Sequence, residues 1–203
     1  MEIPEKQEIY RYVYFNTQLG WMGVASSDQG IRALVLPQKE RRMVTRELKR
    51  QLPLQSNMIF DYYSFSDISD SFKQYFKKRF VMFDFPLDIN RGDAFERKVW
   101  EVTCSVPYGE IRTYKWVAQK LGYQNAVSPV SSALRYNPLP LIIPCHRVVM
   151  GEYSREGYSR GFEWKKKLLE IERRGRTEGG HFYSPFGISD SNYSPQRHED
   201  TKS

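Results

Sequence analysis

Thr113-Tyr-Lys-Trp-Val-Ala-Gln-Lys-Leu-Gly122-Tyr-Gln-Asn125, followed closely by Ser128-Pro-Val-Ser-Ser-Ala-Leu-Arg-Tyr136 and Asn137-Pro138, reads as two short helices joined by a tight turn. Thr113 can cap the first helix, and Gly122 can end it, because glycine enters the left-handed conformation that closes a helix at little cost. Ser128-Pro129 reads as an N-cap followed by proline at the first helical position, and Asn137-Pro138 stops the second helix near Tyr136. Helix, glycine-containing turn, helix is the shape of a helix-turn-helix. Bundles that never touch DNA contain such hairpins too, so the pattern alone settles only that this part of the chain is helical.

Working outward, Asp93 with Glu96 three residues later makes a capping-box-like start, and Phe95, Val99, Val102 and Val106 follow at helical spacing. Cys104 falls in that helix and reads as a buried structural thiol. Downstream, Phe162 to Arg174 carries Trp164, Leu168 and Ile171 on one face, with Gly175 as stop and Glu172 near the edge of the face. Upstream, the runs Glu8 to Phe15, Trp21 to Ser26 and Gly30 to Leu36 are separated by glycine turns, as in an antiparallel meander. Gln38 to Leu52 and Asp67 to Phe80 look helical, and Ile68, Phe72, Tyr75 and Phe76 share a face of the second. That half shows no catalytic constellation and reads as support. The polar stretch Asp88-Ile-Asn-Arg-Gly92 fits a boundary.

The expected fold is α+β. Residues 1–90 form a small N-terminal antiparallel-sheet α/β domain, and 91–176 a mainly helical, winged-helix-like domain with the helix-turn-helix. Residues 177–203, rich in Gly, Ser and Pro and without period, are expected to be a disordered tail.

Within 203 residues the net charge of +7 is unevenly spread: residues 91 to 176 hold 16 Lys and Arg against 9 Asp and Glu, while the last 27 are acidic. A basic excess on the helical half suits a phosphate backbone as partner, although it serves solubility equally well. No apolar run approaches the roughly 18 residues of a membrane span. The charged start Met1-Glu-Ile-Pro-Glu-Lys-Gln-Glu8 lacks a signal-peptide core. With two cysteines, Cys104 and Cys145, and three histidines at no metal-ligand spacing, neither a disulfide framework nor a zinc site is expected. A reducing compartment follows: the cytoplasm, or the nucleus in a eukaryote.

The run Leu139-Pro-Leu-Ile-Ile-Pro-Cys-His-Arg-Val-Val149 sets Cys145 beside His146 in a stiff apolar segment. Pro138, Pro140 and Pro144 each fix φ and so present the cysteine on a backbone with little freedom to lose. On an extended segment neighbouring side chains face opposite ways, so His146 is expected to reach the sulfur through a water. The bland alternative is a buried strand with an inert Cys and a solvent-facing His. Glu172 has two readings as well: one more solvated acid among Arg173, Arg174 and Arg176, or the carboxylate that orients His146.

Pro144-Cys145-His146-Arg147-Val148, with Asn137-Pro138 and Tyr114 before it and Tyr158-Ser159 and the Glu172 helix after it, resembles the O6-alkylguanine-DNA alkyltransferases, most closely over residues 93 to 175. The resemblance implies that Cys145 accepts an alkyl group from O6 of guanine, with O4 of thymine as a related lesion, in a single turnover. His146 would take the thiol proton through a water, Glu172 would orient the imidazole, and Asn137 would brace the turn. Tyr114 would donate to the departing guanine. Backbone groups at Cys145, Val148 and Ser159, between Pro140 and Tyr158, would hold a base rotated out of the helix. Thr113, Ser128, Ser131 and Arg135 would lie against DNA, double- or single-stranded. A monomer without metal or cofactor is expected.

The sequence departs from the family where an arginine usually opens the second helix, for Ser128 stands there, and where Ser131-Ser132 replaces a small glycine-containing pair. A serine hydroxyl cannot fill the stack as a guanidinium can. Two other readings therefore stay open: a module that binds alkylated DNA without repairing it, and a cysteine hydrolase, since Cys, His and an acid also serve acyl transfer.

Overall fold

Three β-rich runs at the start of the chain pair as a meander: β1 (Ile9–Thr17), β2 (Gly20–Ser27) and β3 (Gly30–Gln38). Here the computed structural model describes residues 8–54, 56–150 and 160–175. From β3 the chain crosses through α1 (Arg41–Gln51) and returns as β4 (Asn57–Phe60), which pairs with β1 in parallel. The sheet order is β3-β2-β1-β4, so the expected antiparallel sheet has one parallel edge. A helical crossover is the ordinary way to bring a strand back in parallel. Four residues are too few for alternation to announce β4 in the sequence.

Alternation divides the sheet. On one face Tyr10, Ala25, Ala33 and Val35 pack against Val44, Leu48 and Leu52. On the other, Val13, Phe15, Met22, Val24 and Leu34 pack against α2 (Ser66–Phe76) and the second half of the chain. Helix α2 ends before the expected Phe80, because Lys78 adopts φ +65° and turns the backbone out of the helix. The following segment then fastens to β3. Ile31 N–H donates to Pro86 O at 2.8 Å and Asp88 N–H to Ile31 O at 2.9 Å. Asp88, 6% exposed, accepts from Ser27 and Arg32. One hydrophobic core runs across Asp88–Gly92, joining Phe72 and Tyr75 to Trp100, Leu139, Val148 and Ile171.

In the second half, α3 (Ala94–Cys104) starts with the capping box read from sequence, Glu96 N–H donating to Asp93 at 2.7 Å and Asp93 N–H to Glu96 at 3.0 Å. The short strand β5 (Arg112–Thr113) leads into α4 (Tyr114–Lys120), whose Trp116 N–H donates to the Thr113 hydroxyl. Gly122, at φ +82°, closes the turn. Helix α5 (Val127–Arg135) differs from expectation at its start. Ala126 is the N-cap, Ser128 makes no capping bond, and Pro129 sits in the third position. The first intrahelical bond there runs from Val130 N–H to Ala126 O. A proline anywhere in the first turn sacrifices no bond, so Ser128-Pro129 did not fix the boundary. Strand β6 (Val148–Val149) pairs with β5, and α6 (Arg160–Gly175) closes the described fold. Among the described residues no helix is long and apolar enough to cross a membrane. The expected tail lies outside them.

Candidate active site

The Cys145 loop is held from within by Asn137. Its side-chain amide donates to Ile143 O at 2.8 Å while its oxygen accepts from Leu139 N–H at 2.9 Å. Leu141 takes φ +80°, a conformation that a β-carbon makes costly and that the bonds on both sides enforce. Cys145–Arg147 then forms a 3-10 turn, not the extended segment expected. The turn follows from Pro144, whose carbonyl accepts from Arg147 N–H at 2.9 Å. Its result is that Cys145 is half-buried while His146 is 3% exposed.

Glu172 is fully buried, rather than at the edge of its helix face, and serves as a hub. Its Oε1 accepts from His146 Nε2 at 2.8 Å, Tyr75 OH at 2.8 Å and Arg147 Nη2 at 2.9 Å. Its Oε2 accepts from Arg147 Nε and Gly109 N–H, both at 3.0 Å. The helix pattern could not show this, because the groups that close over Glu172 come from α2, the Gly109 turn and the 3-10 turn.

Burial alone would raise the Glu172 carboxyl, but the Arg147 charge and the hydrogen bonds from His146 and Arg147 outweigh it and hold the group well below the usual carboxylate range. An ionised carboxylate only accepts, so His146 Nε2 carries the proton in this pair and Nδ1 is the basic nitrogen. Nδ1 is buried and has no hydrogen-bond partner among the described residues. Burial also lowers His146, keeping it neutral, and raises the Cys145 thiol. The Asn137 side chain, the Lys165 charge and the backbone N–H groups of Cys145 and His146 oppose that rise. The arrangement is a resting thiol, an adjacent neutral base and groups that welcome the thiolate once it forms.

The β5–β6 pairing sets Tyr114, first residue of α4, next to the Val148 end of the cysteine turn. Lys165 links the two: its Nζ donates to Val148 O and, at 3.3 Å, to Tyr114 OH, and lies 5.2 Å from the Tyr114 ring centre. Pro140 is half-buried in the same loop. Ser128 and Arg135 are exposed on α5 and Ser131 is half-buried, whereas the Thr113 hydroxyl is engaged in its cap. Tyr158 and Ser159 lie outside the described residues, as does the side chain of Arg160. Sequence reading missed Tyr75, Gly109, Arg147 and Lys165. Arg147 stands inside the quoted motif but had been given no role, and nothing distinguishes Lys165 within Lys165-Lys166-Lys167. No group of three or more His, Cys, Asp or Glu among the described residues is placed to hold a metal.

Two family models cover most of the chain: the DNA binding domain of 6-O-methylguanine DNA methyltransferase over residues 94–174, and its ribonuclease-like domain over residues 10–89. The bifunctional transcriptional activator/DNA repair enzyme Ada of Escherichia coli is 35% identical over 162 residues, a match that spans 80% of this chain and 45% of Ada. The methylated-DNA–protein-cysteine methyltransferase of Methanosarcina barkeri is 34% identical over 124 residues, 61% of this chain and 78% of that protein. The crystal structure of Mycobacterium tuberculosis OGT in complex with DNA superposes with a TM-score of 0.66 at 30% identity, covering 82% of this chain and 94% of that one. With Cys145, His146, Asn137 and Glu172 brought together on the fold that these proteins share, the chain belongs to the 6-O-methylguanine DNA methyltransferase family.

Proposed function

We propose that this protein repairs DNA by moving an alkyl group from O6 of guanine to Cys145, once per molecule. The observation that carries the reading is the His146–Glu172 pair, which pins Nε2 and leaves a basic Nδ1 on the same turn as the half-buried Cys145. A water between Nδ1 and the sulfur takes the thiol proton to the imidazole. The thiolate then attacks the alkyl carbon, the carbon–oxygen bond breaks, and its electron pair leaves with guanine. Tyr114 donates a hydrogen bond to the leaving ring. A thioether has no hydrolytic exit, so the protein ends alkylated.

The target base must leave the stack, at a cost of a few kcal/mol. The exposed face of α5, with Arg135 and Ser128, is the surface offered to the DNA backbone. Because Ser128 cannot fill the gap as a guanidinium would, lesions in single strands or mismatches should react faster than well-paired ones. We place the reaction in a reducing compartment, where Cys145 stays a thiol, and with a monomer.

Intact-mass measurement after incubation with single- and double-stranded oligonucleotides containing O6-methylguanine tests the reading. One methyl group should appear per protein, on the Cys145 peptide, and Cys145→Ala should show none. Tight binding without mass gain would make the protein a lesion-binding module, and turnover of an ester would make it a hydrolase.

A further inference from the structure

Tyr75 belongs to α2, in the half of the chain that carries none of the cysteine chemistry, yet its hydroxyl ends 97 residues away in sequence on the carboxylate that holds His146. We propose that Tyr75 is a positioning residue of the thiol-activating relay, contributed by the N-terminal half, whose hydroxyl shares Glu172 Oε1 with His146 and so limits how firmly that carboxylate holds the imidazole. The inference rests on reading His146 as the base for Cys145.

Three residues converge on one carboxylate oxygen, Tyr75 OH and His146 Nε2 each at 2.8 Å and Arg147 through Nη2 at 2.9 Å and Nε at 3.3 Å. An oxygen that accepts several strong bonds offers less charge to each of them. The phenol stays protonated, since burial and the neighbouring Glu172 charge both raise it, so it only donates to this oxygen. Its position leaves it little freedom. Tyr75 is 1% exposed, and its ring lies edge-on to Phe76 at 5.5 Å and to Tyr108 at 6.1 Å, with Phe83 at 5.8 Å.

The other ionisable groups of the cluster are placed differently. Arg147 grips both carboxylate oxygens, Gly109 N–H holds Oε2, and Lys165 and Arg147 both oppose protonation of His146. Tyr108 shares the aromatic cluster, but its buried hydroxyl has no hydrogen-bond partner among the described residues, and burial pushes it up to about 12. Tyr108 is thus a natural control: same surroundings, no bond to the hub.

The test is alkylation of Cys145 by iodoacetamide across pH, located by mass spectrometry, alongside an NMR titration of the His146 ring, all on the full chain. In Tyr75→Phe the imidazole should hold its proton to higher pH. The acidic limb of the alkylation profile should then move up by about half a pH unit, a roughly threefold slower reaction on that limb. Tyr108→Phe should leave the profile in place, and Tyr75→Phe should add no shift in a Glu172→Gln background. Fluorotyrosine at position 75, a stronger donor of the same outline, should move the limb down, and it decides the matter if Tyr75→Phe folds poorly. An unmoved limb in both Tyr75 variants, or an equal shift in Tyr108→Phe, overturns the proposal. Iodoacetamide carries no guanine and needs no DNA, so that failure would leave the methyl-transfer reading standing, and a failure of methyl transfer would not move this profile.

Discussion

The loop that carries Cys145 and the end of α3 that carries Cys104 hold the same functional group under the same dominant penalty. Burial raises both thiols. Around Cys104 the Arg147 charge works in the other direction while Cys145 and Glu101 add to the rise; the residue is 3% exposed and its sulfur is directed at Ile142 O, 3.9 Å away. Around Cys145 an amide side chain, an ammonium and two backbone N–H groups all favour the thiolate, and a neutral imidazole follows in the chain. Reactivity here comes from how polar groups answer the burial penalty, not from escaping it. Three experiments can break or sharpen the contrast.

The largest effect is expected at the hub. Glu172→Gln keeps shape but removes the charge that pairs with Arg147, whose side chain is 13% exposed, and stranding a buried partner of this kind costs about 3–5 kcal/mol. Methyl transfer to Cys145 should slow tenfold or more as the imidazole loses its anchor, which transfer kinetics and thermal melting would both register. The sign with pH is set by two depressed groups. An ordinary carboxylate titrates near about 4.3 and an ordinary imidazole near about 6.5, and both folded values lie lower. Each group therefore contributes stability that is present above its unfolded value and lost as pH falls through the folded one. The melting temperature should decline from about pH 6.5 downward and steepen below about 4.5. In Glu172→Gln the steeper part should shrink to the small share left by exposed Asp61, which Ser64 and Arg11 also hold low, and the His146 part should remain. A flat wild-type curve between pH 7 and pH 4 would contradict the buried neutral imidazole.

What the sequence made legible were features governed by near neighbours. Asp93 with Glu96 and Thr113 with Trp116 obey capping rules that span three residues, and the Ile68, Phe72, Tyr75, Phe76 stripe obeys helical spacing; all appear where expected. Cys145 and His146 were legible because they are adjacent. The depth of Glu172 was not, since the helix wheel knows nothing of Tyr75 or Gly109 closing from other elements. Tyr75 itself read correctly as core, and its second role lies only in the hydroxyl. Ser128 was misplaced by two positions because the first turn of any helix tolerates proline. The 3-10 turn at Cys145 depends on how Leu141 and Asn137 fold the loop, which local pattern does not encode.

A smaller effect is expected from Lys165→Met, which keeps the aliphatic stem and removes the ammonium. Its charge favours the Cys145 thiolate, so the thiol should titrate higher and alkylation by iodoacetamide at neutral pH should fall several-fold, with the rate recovering at alkaline pH. The loss in methyl transfer should be greater than that, because Lys165 also ties Tyr114 OH to Val148 O beside the Cys145 turn. Equal losses with both reagents would confine Lys165 to the thiol.

The smallest effect is expected at Cys104, and it tests the contrast from the inert side. Its side chain lines a cavity of about 40 Å³ together with Tyr108, Leu141, Ile142, Pro144 and Arg147, directly behind the Cys145 loop. Cys104→Ala removes one sulfur from that wall, enlarging the cavity and costing about 1 kcal/mol by loss of packing. The hub bonds of Arg147 and the Asn137 bracing do not involve Cys104, so transfer to Cys145 should keep its rate and its pH dependence while the melting temperature drops by a few degrees. If Cys104→Ala slows transfer, the cavity is part of what holds the loop in its reactive shape, and the two cysteines form one site instead of two opposed ones.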